Sequence, residues 1–350
     1  MTDEAECDLA RLPHPSATQS DVQVAPGTAQ RTVDTVLRTA DGVRIEARHE
    51  PYAGTAARRP PGAIVVAHGF TGSRERPALR RAARALTRRA AVVTFSFRGH
   101  GRSSGRSTVG DREVLDLAAA VAWARSLGYG RVATVGFSMG GSVVLRHAAL
   151  YRTSGGSANG GPAGGHGESA ADGMMHRGRT DADPTAGPSA GPAAGPSAGP
   201  AAALAAADAA VAVSAPARWY YNGTAPMRRV HWAVQRPLGR LVARYGLGTR
   251  IHPRDWDPVP LPPVAAAPLI APTPLLLVHG DRDPYFPLDH PCSLAEAADP
   301  AHTELWLVPG FGHAENAAGP ALLDRVGAWA GARIGDNPDD RCTGHAREAP

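Results

Sequence analysis

Gly136-Phe137-Ser138-Met139-Gly140 follows the strand-like run Arg131 to Val135 and leads into Gly141-Ser142-Val143-Val144-Leu145, which reads as a helix. A G-x-S-x-G pentad between a strand and a helix describes a sharp turn that lifts one serine into a cleft. The turn forces its central residue into a strained backbone conformation, and the flanking glycines leave room for neighbouring backbone to pass. Ser138 is thereby the candidate nucleophile. A serine hydroxyl is inert at its own pKa and attacks only when an adjacent base takes its proton.

The partners such a serine needs follow in order. A second apolar run, Pro274 to Val278, ends in His279-Gly280-Asp281-Arg282-Asp283; a third, Glu304 to Val308, ends in Pro309-Gly310-Phe311-Gly312-His313. Upstream, Ala63 to Ala67 ends in His68-Gly69-Phe70-Thr71-Gly72. Four loops at four strand ends can converge on one site, and the order Ser, Asp, His differs from the chymotrypsin and subtilisin orders. His313, in a glycine-rich loop, is the candidate base. His68 and His279 end strands beside glycines and are expected to bond local backbone, His100 belongs to the Arg98 to Gly101 loop, and His147 reads as structural. Asp281 and Asp283 both stand where the acid is needed, while Asp289 reads as solvated or capping.

Five segments together resemble the α/β-hydrolase superfamily, close to its serine esterases and serine aminopeptidase-like hydrolases. They are HGFTGS (His68 to Ser73), FRGHGRSSG (Phe97 to Gly105), GFSMGG (Gly136 to Gly141), HGDRDPYFP (His279 to Pro287) and PGFGHAE (Pro309 to Glu315), framing residues 31 to 333 apart from one insertion. The resemblance implies an α/β-hydrolase fold: a mostly parallel central sheet flanked by helices, with a small helical lid. It implies a Ser138, His313, Asp283 triad, with Asp281 shaping its loop, and an oxyanion hole from the backbone N–H groups of Phe70 and Met139. No cofactor and no metal are implied. Serine at the elbow separates the chain from haloalkane dehalogenases and epoxide hydrolases, which carry aspartate there. Phe97 departs from the resemblance, standing before Arg98 where an acidic residue is common.

The activity implied is acyl-enzyme hydrolysis of an ester, with thioester and amide as further candidate bonds. An aminopeptidase-type reading needs an acidic group to hold a free amine, for which Asp255, Asp257 and Glu315 are candidates. A non-catalytic ligand-binding protein on the same fold is the rival of a different class.

Composition narrows the field. The 350 residues are 43% apolar, and the formal charge of +5 rests on arginine alone, since the chain has no lysine. No basic stretch is interleaved with aromatics, so no nucleic-acid partner is expected. Cys7, Cys292 and Cys342 are too scattered for a disulfide framework or a short-spaced metal site. Met1 to Asp8 is acidic rather than a signal peptide, and no stretch approaches the ~18 apolar residues of a membrane span. A cytoplasmic location, a small-molecule acyl substrate and no stable membrane insertion are the expectations.

Along the chain, residues 1–30 read as a leader and 334–350 as a tail. Residues 31–152 and 205–333 read as a discontinuous core, split by a Gly/Ala/Pro-rich insertion at 153–204 whose composition has too little apolar surface to offset the entropy of ordering. Ala40-Asp41-Gly42 predicts a hairpin turn, Leu79, Ala82, Ala83 and Leu86 predict a helix stripe, and Asp111 is the predicted cap of the following helix. A lid is expected at about 217–263. There Val230, Val234, Leu238, Leu241, Val242 and Tyr245 predict an amphipathic helical pair with its arginines outside.

Overall fold

The computed structural model describes residues 31–54, 62–152 and 200–335. The expected leader, residues 153–199 of the expected insertion and residues 336–350 of the expected tail lie outside these. In chain order the elements are β1 (Val33–Arg38), β2 (Arg44–Glu50), β3 (Ala63–Ala67), α1 (Pro77–Leu86), β4 (Ala91–Phe95), α2 (Glu113–Ser126), β5 (Val132–Phe137), α3 (Met139–Leu150) and α4 (Pro200–Ala205). Then come β6 (Ala209–Val213), α5 (Ala225–Gln235), α6 (Pro237–Gly246), α7 (Pro263–Ala266), β7 (Leu275–Gly280), α8 (Asp289–Ala297), β8 (Thr303–Val308), α9 (Ala314–Ala317) and α10 (Pro320–Ile334). Helix α4 thus begins inside the stretch that composition assigns to the insertion.

The strands form one sheet in the order β1-β2-β4-β3-β5-β6-β7-β8. The β1–β2 hairpin and the β2–β4 pair are antiparallel, and every other pair is parallel. Strands β3, β4, β5, β6 and β7 are buried throughout, which is why they read as unbroken apolar runs: helices cover both faces of a parallel sheet. On one face Ile64, Val66 and Val92 pack with Leu79 and Leu86 of α1 and Leu323 and Val326 of α10. On the other, Val65 and Val93 pack with Val114 and Leu117 of α2 and Val143 and Val144 of α3. The edge strand β8 is only partly buried, with Glu304 and Leu307 exposed.

Strand order reverses at β3, with β4 on one side and β5 on the other. Crossovers leaving β3 and β5 therefore diverge to opposite faces, and a crevice opens at the carboxyl ends of these two strands. His68 to Gly72 and Ser138 both lie there.

Two local expectations are corrected. Asp111 does not cap α2: Arg112 occupies the N-cap, and Asp111 instead faces Arg146 at 3.4 Å. Fully buried Glu113, in the first turn of α2, braces the loop before the helix, accepting from the Thr108 and Gly110 amides and from the Ser107 and Thr108 hydroxyls. A carboxylate at a helix N-terminus is favoured by the exposed N–H groups there. The second correction concerns the helical pair. Helix α5 ends at Gln235 because Pro237 pushes Arg236 into an extended conformation, and α6 then starts on a new axis. Val230 and Val234 turn inward, but Leu238, Leu241, Val242 and Tyr245 are exposed. Among the described residues no helix is long and apolar enough to cross a membrane.

Candidate active site

Ser138 sits between β5 and α3 with φ 52° and ψ −115°. A non-glycine residue there stores roughly 1–3 kcal/mol of strain, which the surrounding packing must hold. The Ser138 amide donates to the Val213 carbonyl at 2.8 Å, fixing the turn against the end of β6. Glycine is required on both sides: a Cβ on Gly136 would overlap the Gly140 carbonyl, and one on Gly140 would lie 2.5 Å from the Ala67 carbonyl oxygen. The first glycine lets the turn close on itself, and the second lets it lie against the end of β3.

His313 lies between the serine and an aspartate. Its Nε2 is 2.9 Å from Ser138 Oγ and its Nδ1 is 2.7 Å from Asp283 Oδ2. With Nδ1–H donating to the carboxylate, Nε2 is left as the acceptor facing the hydroxyl. The other carboxylate oxygen, Oδ1, accepts the Tyr285 and Phe286 amides at 2.8 and 3.1 Å. Burial opposes the Asp283 charge, but the His313 hydrogen bond and charge and the two amides outweigh it, so its pKa lies below the ordinary carboxylate range. Asp281 turns elsewhere, accepting the Gly310 amide at 2.6 Å. Asp289 faces Arg218 at the surface.

The loop after β3 faces the serine. Thr71 has a positive φ of 63°, and the Gly72 amide bonds back to the Gly69 carbonyl at 3.0 Å. Among the described residues the Phe70 and Met139 amides have no protein acceptor. Both residues line the same cavity as Ser138. The remaining histidines are engaged or buried apart from the serine. His68 Nδ1–H donates to the Gly69 carbonyl, and its Nε2 accepts the Phe97 amide at 3.0 Å. His279 donates through Nε2 to the Phe286 carbonyl, His100 bonds the Arg98 carbonyl, and His147 stacks on Tyr151.

Other contacts join motif segments in ways that their local sequence does not signal. Glu315 Oε1 accepts the Gly69 amide at 3.0 Å, tying the loop after β8 to the loop after β3. Ser214 Oγ accepts the Ala314 amide at 3.1 Å, and both residues have positive φ. The Tyr285 ring lies 4.2 Å from the His313 ring, centroid to centroid. Arg98 is clamped by Asp116 and Asp41 at 2.7 Å each, which fixes the loop that begins with Phe97. Burial pushes the Asp116 carboxyl up to about 7 against the pull of Arg98. Alternation of charge across distant segments gives no local signal for such pairs.

Above the serine lies a cavity of about 1500 Å³, lined in part by α5 through Met227, Val230 and Val234. Trp219 and Trp256 also line it, their rings 5.1 Å apart. Their indole N–H groups donate to the Pro260 and Thr108 carbonyls, so the polar edge of each ring is already satisfied and apolar area remains for a ligand. Asp255, Asp257 and Glu315 line the cavity as well; the first two are exposed and the third buried.

Sheet, crossovers and strand-end loops define the α/β-hydrolase fold, and the model of that fold matches residues 62–155. Among solved structures, esterase Pf2001 of Pyrococcus furiosus superposes with a TM-score of 0.55 at 19% identity, over 89% of this chain and 95% of that one. The esterase domain of a Rhodothermus marinus protein superposes at 0.50 and 19%, over 87% and 100%. The α/β hydrolase GrgF from Penicillium sp. sh18 gives 0.50 and 16%, over 81% and 91%. No curated protein sequence matches the chain. At these identities the likeness is one of fold.

Proposed function

We propose that the protein is a serine hydrolase that cleaves a carboxylic ester through an acyl-enzyme. The observation that carries this reading is the single imidazole spanning Ser138 Oγ at 2.9 Å and Asp283 Oδ2 at 2.7 Å. Ser138 Oγ attacks the acyl carbon while its proton passes to His313 Nε2. The carbonyl oxygen becomes negative and is met by the Phe70 and Met139 amides, which have no protein acceptor to give up. Collapse expels the alcohol, which takes the proton from His313. Water then enters, loses a proton to the same nitrogen and attacks the acyl carbon, releasing the acid and restoring Ser138. Throughout, Asp283 holds the Nδ1–H tautomer and stabilises the imidazolium.

Aromatic and aliphatic walls above the serine favour an apolar acyl or aryl group in a small-molecule substrate. The aminopeptidase-type alternative is weakened at Glu315, whose Oε1 is engaged by the Gly69 amide. Asp255 and Asp257 are solvated. Rates measured side by side on p-nitrophenyl acyl esters and aminoacyl arylamides test the choice. Faster ester turnover, abolished in Ser138→Ala, is expected. Preferential arylamide cleavage overturns the ester reading, and activity unchanged in Ser138→Ala overturns the mechanism.

A further inference from the structure

Helix α6 has its amphipathic faces reversed. Its small residues Gly239 and Ala243 are buried, with the backbone of Trp232 and Ala233 in α5 so close to Gly239 that a Cβ would not fit. Its large apolar residues Leu238, Leu241, Val242 and Tyr245 are 64, 51, 47 and 77% exposed. The spacing i, i+3, i+4, i+7 sets these four in one stripe, the pattern that ordinarily faces a core. Trp232, in the last turn of α5, is 44% exposed, and Leu247 follows at the end of α6. Scattered apolar residues on a surface need no explanation, but a continuous stripe does.

The charge pattern around this stripe is one-sided. From Pro216 to Arg254 the chain carries no aspartate or glutamate, and α5 and α6 hold Arg228, Arg229, Arg236, Arg240 and Arg244. Among the described residues none of these five guanidiniums has a carboxylate partner; Arg228 and Arg240 reach only backbone carbonyls of their own segment. Arg236, Arg240 and Arg244 succeed one another at i, i+4, i+8, flanking the stripe along one side.

We propose that the α5–α6 face docks on an anionic phospholipid surface. Leu238, Leu241, Val242 and Tyr245 enter the boundary between headgroups and acyl chains, Trp232 sits at headgroup level, and the arginines reach lipid phosphates. Charge decides between occupants: a second copy would press Arg236, Arg240 and Arg244, which have no carboxylate partner among the described residues, against three more, whereas an anionic bilayer neutralises them. The stripe is too short to span a bilayer, so the contact is peripheral. The inner face of α5 lines the cavity over Ser138, so docking brings that cavity beside the lipid. If the hydrolase reading above holds, substrates that partition into membranes are the ones delivered.

The test is co-sedimentation of the full chain with vesicles of phosphatidylcholine alone and of phosphatidylcholine mixed with phosphatidylglycerol. At least tenfold more protein bound to the anionic vesicles is expected, falling as salt is raised. Leu241→Glu with Tyr245→Glu, and separately the triple change of Arg236, Arg240 and Arg244 to Gln, should each remove most of the binding. All these positions lie on α6 or just before it, and circular dichroism checks the fold. Ser138→Ala should bind as the parent does, which keeps this result independent of whether the protein hydrolyses esters. Equal binding to both vesicle types, or anionic binding that survives both sets of changes, overturns the proposal. So does a dimer in solution that Leu241→Glu with Tyr245→Glu dissociates.

Discussion

The Gly69 amide donates to Glu315 Oε1 at 3.0 Å, joining the loop that carries Phe70 to the segment two residues past His313. The proposed base and the proposed oxyanion donor are thus held in register by one hydrogen bond between segments 246 positions apart. Glu315→Gln keeps an acceptor oxygen there and should retain kcat within about threefold, whereas Glu315→Ala frees the loop and should lower kcat by about 10–100-fold with little change in KM. Steady-state kinetics on a p-nitrophenyl ester separates the two. An equal loss in both variants would mean that the charge matters rather than the bond.

Asp281 and Asp283 differ in what they hold. Asp283→Asn should reduce kcat by about 10³–10⁴-fold, because an amide no longer fixes the imidazole tautomer. Asp281→Asn, whose carboxylate bonds only the Gly310 amide among the described residues, should cost less than about tenfold. The same kinetic assay on the two purified variants decides it, and a larger loss at Asp281 would reverse the assignment.

Backbone packing at the elbow makes Gly140→Ala a stability test. The added methyl would meet the Ala67 and His68 carbonyl oxygens at 2.5 and 2.7 Å, at the end of β3 and just past it. A loss of about 2–4 kcal/mol in urea unfolding is expected. Unchanged stability would show that the turn is not packed as described.

Buried histidines set the response to mild acid. Burial lowers the pKa of His147 to about 3 and, as the largest of its causes, that of His290 to about 4, and lowers His68 and His100 as well. The unfolded chain takes up these protons near the ordinary value of about 6.5 and the folded chain does not, so their contribution is complete above that pH and is lost as pH falls toward the folded values. Unfolding free energy should therefore drop between pH 7.5 and 5.5, by up to about 1.4 kcal/mol per pH unit for each such histidine below 6.5. His147→Phe should flatten the slope by about one proton, which urea titrations at both pH values would register.

Much of the site could be read from local pattern. Ser138, His313 and the Asp281/Asp283 pair each end an apolar strand in a glycine-bearing loop, and the parallel sheet makes such strand ends converge. Buried strands and the α1 stripe were legible because period and burial coincide there. Local pattern left Asp281 and Asp283 open, since two carboxylates two residues apart carry the same signal; the resemblance pointed to Asp283, and the coordinates add its 2.7 Å approach to His313 Nδ1. Glu315 was legible only as an acidic residue near the base, because its partner Gly69 is distant and donates through backbone. At α2, Asp111 has the right composition for a cap, but its carboxylate faces Arg146 from a distant helix, a partner that carries no local signal. On α6 the hydrophobic period fixes a stripe but not its direction. The close approach of Gly239 to α5 turned that stripe toward solvent.

The central claim is that Ser138 is a nucleophile activated by His313. Intact-mass analysis and peptide mapping after treatment with a fluorophosphonate test it without knowledge of the substrate. One covalent adduct per folded chain is expected, located on Ser138, lost in Ser138→Ala and slowed at least about 100-fold in His313→Ala. A folded protein that stays unlabelled, or that labels at another residue at the same rate in both variants, would contradict it.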